Sequence, residues 1–122
     1  MASPSDRVEE LATRVREERE AFEPPGDADE ADECAKRYCR EGVGPTIMVY
    51  VEGRAGTDLV AFEAETFARL ERTLDEWLAL YARCYGVDAD PDVTIREAAE
   101  VFVDTQSAKY AAEILTGVPS RA

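Results

Sequence analysis

The chain has no histidine, only two lysines (Lys36 and Lys109) and three cysteines, and each shortage removes a class of chemistry. Without histidine there is no Ser-His-Asp triad, no Cys-His dyad and no imidazole for zinc. Cys34, Cys39 and Cys84 are an odd set; Cys34 and Cys39 lie five apart on a predicted helix, so their thiols are expected on different sides. They are read as reduced, buried thiols. A thiol nucleophile at Cys39, activated by Arg40, lacks a base. No apolar run approaches the ~18–20 residues that cross a bilayer. The opening Met-Ala-Ser-Pro-Ser-Asp lacks the basic start and apolar stretch of a signal peptide. Both absences predict a cytoplasmic protein that does not enter a membrane. Walker, GxGxxG and GxSxG loops are missing as well. The expectation is a chain that is not an enzyme, with no catalytic residue, cofactor-binding residue, metal ligand or cofactor to nominate.

What is present is acid. Asp and Glu number 27 against 14 Lys and Arg, a net charge of −13 over 122 residues. The bases are nearly all arginine. Molar salt shrinks the Debye length to ~3 Å and removes the mutual repulsion of carboxylates. Trading lysine stems for short acids also removes exposed apolar surface that high salt would drive together. The pattern predicts adaptation to a salt-rich interior. It also disfavours nucleic acid, whose phosphates meet a field of the same sign, though screening in such a cell dulls that objection.

Length predicts one domain over 1–122, with a Pro/Gly/Asp linker at 23–28. Ser3, Pro4 and Asp6 open a helix over 3–22, with Val8, Leu11, Val15 and Phe22 on a narrow apolar seam. A second helix is predicted over 29–41, terminated by Gly42-Val43-Gly44-Pro45. Residues 46–52, rich in β-branched and aromatic side chains, read as a strand, and 57–62 as its return, the rival reading being one long helix over 58–85. The strongest pattern runs over 64–85: Phe67, Leu70, Leu74, Trp77, Tyr81 and Cys84 recur by three and four, as in a central core helix ended by Gly86. Asp88, Asp90 and Asp92 resemble the start of a calcium loop, but Val93 stands at its glycine and Ala99 at its twelfth-position glutamate, so the segment reads as a polar connector. Thr94 with Glu97 caps a helix over 95–103, and Thr105 is expected to cap a last one over 106–116. The fold class predicted is α+β: a mostly helical domain of about five helices with one β-hairpin near 46–62.

Residues 93–102 are similar to the first helix of excisionase-like and MerR-like helix-turn-helix domains, on Thr94, Glu97, Ala98, Ala99 and Tyr110. That resemblance implies a recognition helix at 106–116 and a DNA-associated regulator. The chain departs from it at Val103-Asp104, where those families place glycine. It also offers only Gln106, Ser107 and Lys109 for base or phosphate contact. The other reading is a capped helical hairpin burying Ala98, Val101, Phe102, Ala111, Ile114 and Leu115.

The acidic texture, with Tyr50-Val-Glu-Gly-Arg54, Glu76-Trp-Leu-Ala-Leu-Tyr81 and Tyr85-Gly-Val-Asp88, resembles a small uncharacterised haloarchaeal family, a resemblance that imports no activity. The function expected is binding: a protein partner or a homo-oligomer, with the degenerate helix-turn-helix at 94–116 as the alternative.

Overall fold

The computed structural model describes residues 3–55 and 64–119. Its helices are α1 (Pro4–Ala21), α2 (Ala28–Tyr38), a π turn (Cys39–Val43), α3 (Gly44–Ala55), α4 (Ala64–Arg83), α5 (Ile95–Thr105) and α6 (Ala108–Thr116). The π turn joins α2 to α3 without a break, so the described residues form five helical rods. None of these residues is in a strand. The α+β class with a hairpin near 46–62 is therefore corrected to an all-helical fold: 46–55 belong to α3, and the expected return strand at 57–62 lies outside the described residues.

The reason is burial on every side. β-propensity measures fit to a half-buried pleated surface. In α3, Thr46, Ile47, Val49 and Tyr50 are buried and Met48 and Val51 partly so, because α1, α4 and α5 all pack against this helix. A helix that is apolar all round belongs inside a fold, and enclosure overrides the local preference. Gly42 to Pro45, read as a terminator, is instead passed by the π turn. A proline ring clashes with the carbonyl four residues back and has no N–H to offer. The wider turn, in which the Gly44 N–H bonds to the Cys39 carbonyl five residues back, makes room for it.

α4 is the central helix and touches every other element. Leu70, Leu74, Trp77, Leu78 and Tyr81 are fully enclosed. Trp77 lies flat on Gly42, where an added Cβ would sit 2.1 Å from the indole ring, and its ring centroid is 6.1 Å from that of Tyr38. Around this centre, α1 contributes Val8, Leu11, Ala12 and Val15.

Charged side chains also hold the helices in register. Arg37 grips both carboxylate oxygens of Glu18 at 3.0 and 3.1 Å and lies 3.5 Å from Glu41, which in turn takes Arg14 at 2.6 Å. The hydrogen bonds to Glu18, outweighing burial, raise the Arg37 pKa further. Arg69 pairs with Glu9 at 2.9 Å and Arg7 with Glu52. Among the described residues no helix is long and apolar enough to cross a membrane.

Candidate functional site

α5 and α6 form the helix pair that the sequence marks for attention. The Thr94 hydroxyl accepts from the Glu97 N–H at 3.1 Å and starts α5, as its capping pattern predicts. Thr105 does not cap α6. Its hydroxyl donates back to the Val101 carbonyl at 2.8 Å, and Ser107 accepts from the Tyr110 N–H at 3.1 Å instead. Between them Gln106 takes a left-handed conformation (φ 54°) and closes α5 through its N–H to the Phe102 carbonyl. The pair thus has a tight turn without glycine.

The three polar residues nominated for nucleic-acid contact are placed differently from one another. Gln106 is exposed at the turn and Ser107 is occupied as a cap. Lys109 points inward. Its Nζ donates to Glu113 Oε1 at 2.8 Å and to the Tyr81 hydroxyl at 3.4 Å, and it lies 5.4 Å from the ring centroids of both Tyr81 and Tyr85. Burial works to lower its pKa, but Glu113 and the two tyrosines outweigh burial and raise it. The tyrosines are themselves anchored: the Tyr81 hydroxyl donates to the Val118 carbonyl at 2.6 Å and the Tyr85 hydroxyl to Asp32 at 2.8 Å. Lys109 is a strut between α6 and α4.

Three apolar side chains stand exposed on the pair instead, among the charged Arg96, Glu97, Glu100 and Asp104 of α5. Val103 on α5 is 56% exposed, and Tyr110 and Ile114, one turn apart on α6, are 51% and 53% exposed. Val103 also lines a groove of about 550 Å³ between α3 and α5, with Tyr50, Val51 and Ala99, beside the charged Arg96, Glu100 and Asp104. The Ile114 expected in the core lies on this surface, whereas Ala98 and Ala111 are buried and Phe102 and Leu115 partly so.

The cysteines come closer together than their spacing suggested. Cys39 and Cys84 are buried and Cys34 is half-buried; the Cys84 thiol donates to the Leu80 carbonyl at 3.7 Å. Burial pushes the Cys39 thiol up to about 12, and the cation that opposes this is Lys109, not the neighbouring Arg40. Burial and the Cys34 contact raise Cys84 as well. At the aspartate-rich connector, Asp75 of α4 accepts from the Val93 N–H at 3.2 Å and Glu71 from the Ile95 N–H at 2.8 Å. Among the described residues no three His, Cys, Asp or Glu side chains converge as a metal site.

A family model for a domain of unknown function, DUF8055, matches residues 2–120. The chain belongs to the DUF8055 family. No curated protein and no solved structure matches it. Membership accords with the resemblance to an uncharacterised family and brings no activity with it, so any role for a DUF8055 chain rests on its own surface. Two features of that surface were invisible to sequence reading. The Lys109 cage brings together residues 28 positions apart. The exposed apolar set was hidden because Val103, Tyr110 and Ile114 look like ordinary core residues until the helices are placed. The one available signal was the absence of charge from positions 106, 107, 110 and 114 in a chain that is 34% charged.

Proposed function

We propose that this DUF8055 chain is a non-catalytic binding protein of a salt-rich, haloarchaeal cytoplasm, and that it associates with a second copy of itself through the α5–α6 surface. The observation that carries the reading is the exposed apolar set Val103, Tyr110 and Ile114 in a molecule of net charge −13. Two copies this acidic repel wherever carboxylates face each other, and they approach most easily where charge is missing. The surface also offers both halves of a contact. Apolar side chains protrude from α6, and the groove lined by Tyr50, Val51, Ala99 and Val103 lies at the adjoining α5. A two-fold axis lets each copy seat its protruding residues against the other's groove, the commonest geometry for a homodimer. Molar salt favours the contact twice, by screening the repulsion and by strengthening apolar burial.

The DNA-associated reading has less support, because Lys109, the one cation of α6, is engaged with Glu113 and Tyr81.

Light scattering and sedimentation from 0.1 to 3 M KCl test the proposal. The native chain is expected to reach a discrete dimer as salt rises, and Ile114→Glu and Tyr110→Glu to remain monomers with an unchanged helical circular dichroism spectrum. A native monomer at every salt concentration, or dimers that survive both substitutions, overturns it.

A further inference from the structure

Among the arginines whose side chains are described, Arg7, Arg14, Arg37, Arg69 and Arg96 are ion-paired. Arg16, Arg19, Arg40, Arg72 and Arg83 form no ion pair, although acids outnumber bases 27 to 14. Four of these five line one place. Arg19, Arg72 and Arg83 border a cleft of about 390 Å³ between α1, α4 and the 88–91 connector, and Arg16 joins Arg19 and Arg83 around a smaller hollow beside it. Helical spacing explains the convergence: 16 and 19 lie on one side of α1, 72, 76, 79 and 83 on one side of α4, and the two helices pack together. Arg83 lies over the ring of Phe22, 5.8 Å from its centroid, a contact that orients the guanidinium while leaving its N–H groups free.

An acidic chain has carboxylates to spare for its arginines, so three unpaired guanidiniums in one cleft, with a fourth in the hollow beside it, call for an anion from outside. We propose that this cleft binds a small phosphate-bearing ligand, held by Arg19, Arg72 and Arg83 with Arg16 at its edge. Guanidinium presents a planar fork that matches phosphate oxygens in pairs, and that geometry keeps its selectivity when salt has screened simple attraction. The volume suits a small molecule. Asp75, Glu76, Asp88 and Asp90 share the cleft, and Glu20 the hollow beside it, without pairing to these arginines, and they repel any ligand whose charge extends beyond the guanidiniums. A polyanion such as nucleic acid would meet those carboxylates along its length, a penalty a single phosphate largely escapes. Ala79, Leu80, Ala89 and Pro91 supply an apolar wall for the organic part of a phosphate ester. The proposal is independent of self-association, since no residue of the α5–α6 surface takes part.

The test is titration of the full chain, at a KCl concentration where it is folded, with inorganic phosphate, adenosine monophosphate and acetate, followed by calorimetry and phosphorus NMR. Saturable binding of phosphate or its ester is expected, with acetate at least tenfold weaker. The double variant Arg19→Gln/Arg83→Gln is expected to weaken phosphate binding at least tenfold. Arg40→Gln, which removes the unpaired arginine outside the cleft, is expected to leave it unchanged. Tighter binding of the ester identifies an organic phosphate as the ligand, and equal affinities identify free phosphate. Absence of saturable binding, acetate binding as tight as phosphate, retention of affinity by a folded double variant, or equal weakening by Arg40→Gln overturns the proposal.

Discussion

At Gly42 two ordinary effects of a methyl group oppose each other, and the distances decide between them. Alanine is favoured over glycine inside a helix by about 1 kcal/mol, because glycine loses more freedom on folding. Here the new Cβ would lie 2.1 Å from Cδ2 and Cε3 of Trp77 and 2.5 Å from Cε2. Those atoms belong to a rigid, fully enclosed ring at the meeting point of α2, the π turn and α4, which cannot swing aside. Overpacking of this kind costs about 1–3 kcal/mol, enough to reverse the propensity gain. Gly42→Ala is therefore expected to destabilise the protein by about 1 kcal/mol, and by up to about 2, once the propensity gain is taken off the overpacking cost. Urea unfolding followed by the emission of Trp77, the chain's one tryptophan, measures this directly. A variant as stable as the native chain would mean that the indole does not rest on Gly42. From sequence alone Gly42 read as a helix stop, since nothing local shows that a ring 35 positions away lies on its backbone.

Among the elements, α5 is started by a neighbour as well as by its own cap. Asp75 and Glu71, one turn apart on α4, accept the Val93 and Ile95 N–H groups at its first turn, where the helix dipole favours negative charge. Asp75 is in an awkward position there. Burial raises its pKa to about 6, the Val93 N–H opposes the rise, and Asp92, Glu71 and Asp90 add to it. A carboxyl whose folded pKa exceeds its unfolded value of 3.8 binds its proton more tightly in the native state. Its contribution to stability is complete below that unfolded value and is lost as pH rises through the folded one. Asp75→Asn keeps an acceptor for Val93 and removes the titration. The stability of the variant relative to the native chain is thus expected to climb between about pH 4 and 6 and level off above. Paired urea titrations at pH 4, 5, 6 and 7 check this, and a difference that stays flat or falls contradicts it. Elements were legible where the signal is local. Ser3 and Thr94 cap as their spacing implies, and the α4 stripe marks the central helix. The strand expected at 46–52 failed because its β-branched residues reflect enclosure by three helices, a fact carried by the tertiary arrangement. Thr105 failed as a cap because a left-handed Gln106 hands that role to Ser107.

For the whole molecule, salt acts on two sets of charges in opposite senses. Screening weakens the exposed pairs that link the helices, such as Glu18 with Arg37 and Glu9 with Arg69, each worth about 0–1 kcal/mol at such exposure. Screening also relieves the self-repulsion of a compact body carrying a net charge of −13. The pairs are local, few and partly hydrogen-bonded, so they lose little, whereas the repulsion sums over every surplus carboxylate and extends across the molecule at low salt. The Debye length falls from about 10 Å at 0.1 M to about 3 Å at 1 M, so most of the relief comes within that interval. The thermal unfolding midpoint is therefore expected to rise steeply between 0.1 and 1 M KCl and more gently beyond, where apolar burial supplies the remaining gain. Glu18→Gln, which removes one surplus charge along with one ion pair, is expected to cost more at 2 M than at 0.1 M KCl, because the relief of repulsion it brings at low salt is screened away at high salt while the lost pair still counts. Unfolding followed by circular dichroism and by Trp77 emission reads both. A midpoint that falls with added KCl would mean that the inter-helix pairs outweigh the repulsion, and that the acidity of the chain serves something other than salt.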